Sequence, residues 1–322
     1  MRLAFLGSPS AAVPTLRALV RAGHDVALVV SGPDKRRGRG GARTPTPVKA
    51  AALELGLVVT DDLDAVAAAG VELGVVVAYG RIIPEALLMQ VPMVNLHFSL
   101  LPRWRGAAPV ERAILAGDIA TGVCVMDVDV GLDTGDVHAV ATVPIDDRIT
   151  AVELTEQLAD LGAGVLLDSL TSGLTRGVAQ SIDGITYARK ITSDDRRLDW
   201  SLPAEQLQRI VRIGGAWTTF GDDRFKVLSA RPIPEIDAEV QSALDVPALH
   251  QAIQRVIERH EALRTSFDHR NGRPVQVPRS SATIPLPVED LGSCPESERT
   301  AAAKAIMEQE ARHPFDLTRD LM

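Results

Sequence analysis

The run Val94-Asn95-Leu96-His97 sets an amide and an imidazole two residues apart. In a β-strand, side chains two apart point to one face, so Asn95 and His97 would project together. A side-chain amide can donate a hydrogen bond to an oxygen that gains negative charge during a reaction. An imidazole can accept or relay a proton near neutral pH. The same pair is equally compatible with two satisfied polar groups capping a strand. Further along, Asp127, Asp129, Asp133 and Asp136 crowd one segment. Asp favours turns for its own sake. Alternatively, one carboxylate could orient a histidine and favour its protonated form, and spacing does not choose which. A calcium loop is excluded, because no glutamate stands at the closing position and the segment is strand-like.

Between these groups lies Phe98-Ser99-Leu100-Leu101-Pro102-Arg103-Trp104-Arg105-Gly106-Ala107-Ala108-Pro109. It is too long for a minimal strand-to-helix connector. Loops of this kind usually belong to sites. As an ordinary surface loop it would use Trp104 as a packing anchor.

The elements that must position these residues alternate. Residues 2–6 form a short buried run that breaks at Gly7. Val13, Leu16, Leu19 and Val20 then give an amphipathic helix ended by Gly23, and 25–30 is the next strand. Strand, helix, strand with short links is a βαβ unit with parallel pairing. The pattern repeats with helices at 48–55, 63–69 and after Pro84, and with strands at 57–59, 73–78 and 93–97. Strands at 123–128 and 137–143 flank a glycine-bearing turn. A long helix over 151–170 follows, with Leu154, Leu158, Leu161 and Val165 at helical spacing. Residues 171–200 read as polar and irregular. The alternation predicts an α/β fold with a doubly wound, Rossmann-like, mostly parallel sheet, whose sites lie at the carboxyl ends of the strands. Composition shifts again around 232–242. Helical stretches at 246–263 and 296–311 then enclose a Pro-rich, β-leaning segment at 273–288, which puts a domain boundary near 236.

With 322 residues, 46% of them apolar, the chain can bury a sizeable core in one large domain or two ordinary ones. A net charge of −8 argues against wholesale coating of nucleic acid, though a local basic patch remains open. Cys124 and Cys294 are too far apart for a metal-type spacing or a disulfide framework, so a cytoplasmic home is expected. Cys124 reads as a small core residue. No metal is expected, for want of a histidine-cysteine cluster. The apolar start is too short for a signal peptide, and no stretch reaches the roughly 20 apolar residues of a membrane span. Nicotinamide binding is disfavoured, because the first turn, Gly7-Ser8-Pro9-Ser10-Ala11-Ala12, lacks the second and third glycines that let a pyrophosphate approach.

Several stretches together resemble the methionyl-tRNA formyltransferase family and its relatives that use 10-formyltetrahydrofolate. They are residues 1–9, 33–49, Val77-Ala78-Tyr79-Gly80-Arg81-Ile82-Ile83-Pro84, residues 95–109 and Asp129-Val130-Gly131-Leu132-Asp133-Thr134-Gly135-Asp136. The Asn-x-His-x-Ser-Leu-Leu-Pro run with the Gly-Leu-Asp-Thr-Gly turn is a specific combination. Leu198-Asp199-Trp200-Ser201-Leu202-Pro203 through Phe225-Lys226-Val227-Leu228 resembles the opening of that family's OB-like C-terminal domain, which extends the likeness to 235. At about 35 residues it is too short for a five-stranded barrel.

The resemblance implies a formyltransferase catalytic domain over 1–180, followed by a linker and truncated OB-like segment over 181–235. It implies Asn95, His97 and Asp133 as the catalytic trio. Tyr79, Gly80 and Arg81, then Ser99, Leu100, Leu101 and Pro102, then Asp129, Val130, Gly131 and Leu132 would line the folate pocket, with Ala78 or Gly80 acting through the main chain. The implied reaction is attack by an amine on the formyl carbon of 10-formyltetrahydrofolate. Asn95 and His97 would stabilise the oxyanion, and Asp133 would hold His97 and favour its charged form.

From about Ala243 onward the chain resembles part of a condensation domain of nonribosomal peptide synthetases. The likeness rests on Leu244-Asp245-Val246-Pro247-Ala248-Leu249, Arg259-His260-Glu261-Ala262-Leu263-Arg264-Thr265-Ser266-Phe267, residues 284–291 and Pro314-Phe315-Asp316-Leu317. That family's His-His-x-x-x-Asp-Gly motif is absent, so 236–322 is expected to be a smaller α+β fragment without peptide-bond chemistry. A fusion junction, deletion or frameshift could all give this arrangement. By this context the expected acceptor is a small-molecule amine or carrier-bound amino acid, such as hydroxyornithine, in siderophore or peptide biosynthesis, with a nonribosomal peptide synthetase as partner. The alternative is initiator methionyl-tRNA, gripped through the basic loop at 35–43. A second alternative is a catalytically inactive interaction module on the same fold.

Overall fold

A computed structural model describes residues 1–36, 43–174, 176–220, 223–232, 246–259, 265–270, 273–281 and 289–311. The chain divides into two compact units, Met1–Pro232 and Ile233–Met322.

The first unit is built on a seven-stranded sheet. Its strands in chain order are β1 (Arg2–Gly7), β2 (Asp25–Val30), β5 (Val59–Thr60), β6 (Leu73–Val77), β7 (Met93–His97), β9 (Ala120–Asp127) and β10 (Val137–Pro144). Two short ladders stand apart from it: β3 (Lys35–Arg36) with β4 (Arg43–Thr44), and β8 (Arg105–Gly106) with β11 (Tyr187–Ala188). The order across the sheet is β10-β9-β7-β6-β1-β2-β5. The five strands from β7 to β5 run parallel, and β9 and β10 are antiparallel to their neighbours. The chain builds outward from β1 to β5, then resumes on the other side at β6. That switch opens a crevice at the carboxyl ends of β1 and β6.

Both faces are buried, which explains the near-continuous apolar strands. In β1, Leu3 and Phe5 enter one core cluster, while Ala4 and Leu6 enter the other. The first cluster is roofed by α1 (Val13–Arg21), α2 (Pro47–Glu54), α5 (Pro109–Ala116) and α6 (Ala151–Thr171); the second is closed by α3 (Ala65–Ala68) and α4 (Glu85–Leu88). α6 starts at a capping box, in which the Thr150 side chain accepts from the Glu153 N–H and the Glu153 carboxylate accepts from the Thr150 N–H. Where α6 crosses β7 it carries Gly162, whose absent Cβ would lie 2.7 Å from Leu96. The small residue lets the helix seat directly on the strand that bears Asn95 and His97.

Residues 171–200 are less irregular than their sequence suggests. Val178 bridges to Val137, and β11 pairs with β8. The segment has no periodicity of its own because its backbone is satisfied by the 98–109 loop and by β10. After α7 (Ala204–Arg212), the expected OB-like segment provides an antiparallel hairpin of β12 (Trp217–Phe220) and β13 (Asp223–Lys226).

In the second unit the described residues form α8 (Val246–Arg259), a hairpin of β14 (Thr265–Arg270) and β15 (Arg273–Pro278), and α9 (Glu296–Ala311). His260 with the rest of its motif to Arg264, residues 282–288 and Pro314-Phe315-Asp316-Leu317 lie outside the described residues, as do 37–42 of the basic loop. No helix among the described residues is long and apolar enough to cross a membrane.

Candidate active site

β7 delivers its two polar side chains to the crevice. Met93, which shares their face, joins the second core cluster, while Val94 and Leu96 point into the first. His97 is only 6% exposed, with Nε2 2.9 Å from the carbonyl oxygen of Trp104. A carbonyl only accepts, so Nε2 carries the hydrogen and donates. The other ring nitrogen, Nδ1, lies 3.6 Å from Oδ2 of Asp133. Among the described residues nothing hydrogen-bonds the Asn95 amide, which leaves it available in the cleft.

The Trp104 carbonyl is itself held. Trp104 has a left-handed φ of 65°, uncommon for a bulky residue. Its N–H donates to Thr186 Oγ1 at 2.8 Å and its indole Nε1 to Asp118 Oδ2 at 2.7 Å. Arg103 forks onto the same carboxylate at 2.9 and 2.6 Å and lies over the Trp104 ring. Burial pushes the Asp118 carboxyl up, but the hydrogen bonds from Arg103 and Trp104 outweigh it and hold its pKa below the ordinary value.

Of the four crowded aspartates, Asp133 is the one facing His97. Its Oδ2 accepts from the Gly106 N–H at 2.7 Å. Gly106 has φ 122°, and a Cβ there would meet the Ala188 carbonyl at 2.8 Å, so only glycine fits. Asp127 instead pairs with His138, and Asp129 accepts from the N–H of Val130. The Asp136 carbonyl closes the turn by accepting from the Asp127 N–H.

Beside these groups opens a cleft of about 930 Å³, a size suited to a cofactor-like ligand. Asn95, His97 and Asp133 all border it, as do Tyr79, Gly80 and Arg81 and the stretch Asp129, Val130, Gly131 and Leu132. At the end of β6 the chain turns through left-handed φ values at Ala78 (46°) and Gly80 (74°). Tyr79 is 5% exposed and its hydroxyl accepts from Arg81, which also donates to the Asp61 carbonyl. Burial raises the Tyr79 pKa against the opposing pull of Arg81.

Ser99, Leu100, Leu101 and Pro102 depart from expectation: they do not line the cleft. Ser99 is wholly buried and its hydroxyl donates to the Arg103 carbonyl at 2.6 Å. The Arg103 N–H closes the turn onto the Leu100 carbonyl, and Leu100 packs against Gly122. The turn folds back on the sheet, which places these residues behind Trp104 at the back of the cleft. Reasoning from the sequence also passed over Ile82, Ser10, Glu111 and Thr155, which border the cleft. Ile82 is 92% exposed, and Val130 and Leu132 are exposed beside it on the lining. Apolar side chains left open in a cleft gain by covering an aromatic ring system, and backbone groups at a left-handed turn can read its polar edge. The lining therefore fits a folate. Among the described residues no group of three or more His, Cys, Asp or Glu is placed to hold a metal ion.

Comparison with known proteins agrees with this geometry. The formyl transferase model matches residues 1–170, the formyl transferase C-terminal domain model matches 190–256, and a condensation domain model matches 235–322. A methionyl-tRNA formyltransferase of Roseobacter denitrificans is 45% identical over 247 residues, spanning 72% of this chain and 81% of that protein. In fold, the chain is similar to a methionyl-tRNA formyltransferase from Clostridium thermocellum, with a TM-score of 0.55 at 15% identity over 73% of this chain and 94% of that one. A sugar 3N-formyl transferase solved in the presence of dTDP and 5-N-formyl-THF has a TM-score of 0.54 at 18% identity, covering 66% of this chain and 78% of that one. With a doubly wound sheet, a folate-sized cleft and relatives of this similarity, the chain belongs to the formyl transferase family of folate-dependent N-formyltransferases.

Proposed function

We propose that this chain formylates the amine of initiator methionyl-tRNA, with Asn95, His97 and Asp133 as its catalytic residues. The observation that carries the reading is the buried His97 with Nδ1 3.6 Å from Asp133, beside the free Asn95 amide in one cleft. The preference for tRNA over a carrier-bound amine rests on the 45% identity to a methionyl-tRNA formyltransferase across 81% of its length.

Held by Tyr79, Gly80 and Arg81 and by Asp129, Val130, Gly131 and Leu132, 10-formyltetrahydrofolate would supply the formyl group: the new bond to the amine would replace the bond to the folate nitrogen, which would take up the proton the amine loses and leave tetrahydrofolate. The chain's own residues orient, polarise and move a proton. The Asn95 amide donates to an oxygen that becomes negative. The Nε2 hydrogen of His97 is committed to the Trp104 carbonyl, so proton exchange with an incoming amine falls to Nδ1. The Asp133 carboxylate offsets the positive charge when Nδ1 holds that proton. Ile82, Val130 and Leu132 cover the folate ring system and exclude water. Residues 1–180 act as the catalytic domain, 181–235 as linker and shortened C-terminal segment, and 236–322 as a condensation-domain-like part. The basic loop at 35–43, with β3 and β4 paired at its base, contacts RNA phosphates.

A second reading, transfer to an amino acid side chain or carrier-bound residue for a nonribosomal peptide synthetase, is favoured by the condensation-domain match at 235–322. The test measures tetrahydrofolate release by the full chain from 10-formyltetrahydrofolate with methionyl-initiator tRNA, hydroxyornithine or an aminoacyl carrier protein. Turnover with the tRNA, weakened by replacing Arg36, Arg37 and Arg39 and less so at higher salt, supports the proposal. Turnover with hydroxyornithine or the carrier-bound residue alone overturns the acceptor. No turnover and no folate binding would favour an interaction module.

A further inference from the structure

The geometry points to Gln180 as a positioning residue for Asp133, acting through a side-chain amide that ties the acidic turn to the buried Arg105. This inference rests on the proposed role of Asp133. Its starting point is the backbone: Asp133 has φ 50°, a left-handed conformation that aspartate adopts more readily than most non-glycine residues and that nearby bonds hold in place. Two constraints do so. One is the Gly106 N–H on the carboxylate at 2.7 Å. The other is Gln180, whose Nε2 donates to the carbonyl of Asp133 at 2.9 Å and to that of Gly135 at 2.9 Å.

The far end of the same amide is anchored as firmly. Gln180 Oε1 accepts from Arg105 Nε at 3.1 Å and from Nη2 at 2.7 Å. With two donors facing the oxygen and two carbonyls facing the nitrogen, only one orientation of the amide is possible. Arg105 is 7% exposed and directly precedes Gly106. The pair Arg105-Gly106 therefore grips Asp133 twice, at its carboxylate through Gly106 and at its backbone through Gln180. Gln180 is delivered by the Val137–Val178 bridge, with reciprocal backbone bonds of 2.8 and 2.9 Å just before it. Gln180 lies behind the cleft lining, and its amide bonds all run to the turn and to Arg105.

The test uses the full chain and two changes with different chemistry. Gln180→Leu removes every bond. Gln180→Glu keeps an acceptor for Arg105 but, as a carboxylate, cannot donate to the two carbonyls. Misplacing a catalytic group by about 1 Å can cost on the order of a hundredfold. Both variants should therefore lower kcat roughly ten- to a hundredfold with the KM for 10-formyltetrahydrofolate nearly unchanged. In an Asp133→Asn background the same changes should cost nothing further. Turnover is read with whichever amine of the acceptor panel the unaltered chain formylates. The 15N resonance of His97 Nδ1 needs no acceptor, and in Gln180→Leu it should move toward its position in Asp133→Asn. If Asp133→Asn leaves kcat intact, the reading of Asp133 fails. If Asp133→Asn is crippled but Gln180→Glu keeps normal kcat, or the Nδ1 resonance stays in place, the role assigned to Gln180 is wrong. A lowered melting temperature with kcat preserved in the folded fraction likewise overturns it.

Discussion

Two histidine–aspartate pairs stand near the same turn: His97 of β7 with Asp133 of the turn, and His138 of β10 with Asp127 of β9. His138 Nε2 is 2.8 Å from Asp127, closer than His97 Nδ1 is to Asp133 at 3.6 Å. If closeness decided function, His138 would be the stronger candidate. The settings differ instead. Side-chain exposure is 6% and 16% for His97 and Asp133, and 9% and 50% for His138 and Asp127. Only the first pair borders the cleft, with the Asn95 amide on the same strand face. Its second ring nitrogen is fixed by the Trp104 carbonyl, and its carboxylate by the Gly106 N–H. What separates the pairs is a shared cleft and a shell of fixed donors and acceptors, not distance.

The change that would break this contrast most sharply is His97→Ala set against His138→Ala. On the proposed role, loss of His97 removes the group that exchanges a proton with the amine, so kcat should fall about a thousandfold or more. His138→Ala should stay within about twofold of normal, since general acid–base assistance is worth a hundredfold or more only to a group touching the reaction. Tetrahydrofolate release measures both, and circular dichroism checks that each variant folds. Equal losses would mean that the cleft does not distinguish the pairs. Next in size, Asp133→Asn keeps the shape but removes the charge beside Nδ1. Neutralising a carboxylate that orients a histidine costs up to about ten-thousandfold in triad enzymes. Here Asp133 stands outside hydrogen-bond range, so a fall of roughly a hundredfold in kcat is expected, and one under threefold would remove Asp133 from the chemistry.

Much of this contrast is legible in the sequence, and the rest is hidden for identifiable reasons. β7 lies where the apolar run 93–97 places it, and α6 runs one residue past the expected 151–170, because both carry strong periodicity and clear boundaries. The shared face of Asn95 and His97 follows from the two-residue repeat alone. Spacing could not choose among the aspartates, since the choice depends on where Gly106, far away in sequence, offers its N–H. The sequence of Ser99, Leu100, Leu101 and Pro102 gives no sign that the loop folds back on itself and buries Ser99, because that depends on the Arg103 carbonyl and the sheet behind it. Gln180 gives no local signal, because it lies in an aperiodic polar stretch whose bonds all reach to distant residues.

A third and smaller effect concerns the support behind His97. Asp118 holds Arg103 and Trp104, so Asp118→Asn should loosen the Trp104 carbonyl and lower kcat by about tenfold, less than a direct change at the proposed catalytic groups. Its pH dependence has a defined sign. The folded carboxyl is held below its ordinary value, so its contribution is complete above about pH 4 and is lost as pH falls through the lower folded value. Asp195, held to about 2 chiefly by Arg112, acts in the same direction. Urea melts from pH 5 down to 2 should therefore show wild type losing stability over this range, and Asp118→Asn losing less. A variant that falls as steeply as wild type would show that Asp118 does not carry the acid sensitivity.

The least effect is expected from Asp127→Asn. Asp127 is half exposed, so solvent screens its attraction to His138 and the side chains must be ordered to meet. With the carboxylate half exposed the contact should contribute about 0–1 kcal/mol, and asparagine still offers an oxygen to the imidazole. Equilibrium denaturation at neutral pH should therefore shift by no more than about 1 kcal/mol, and less in high salt. A loss of roughly 3 kcal/mol or more would mean that the pair behaves as a buried one despite its exposure. The separation of the sheltered pair proposed for catalysis from the half-exposed pair at His138 would then have to rest on the cleft alone.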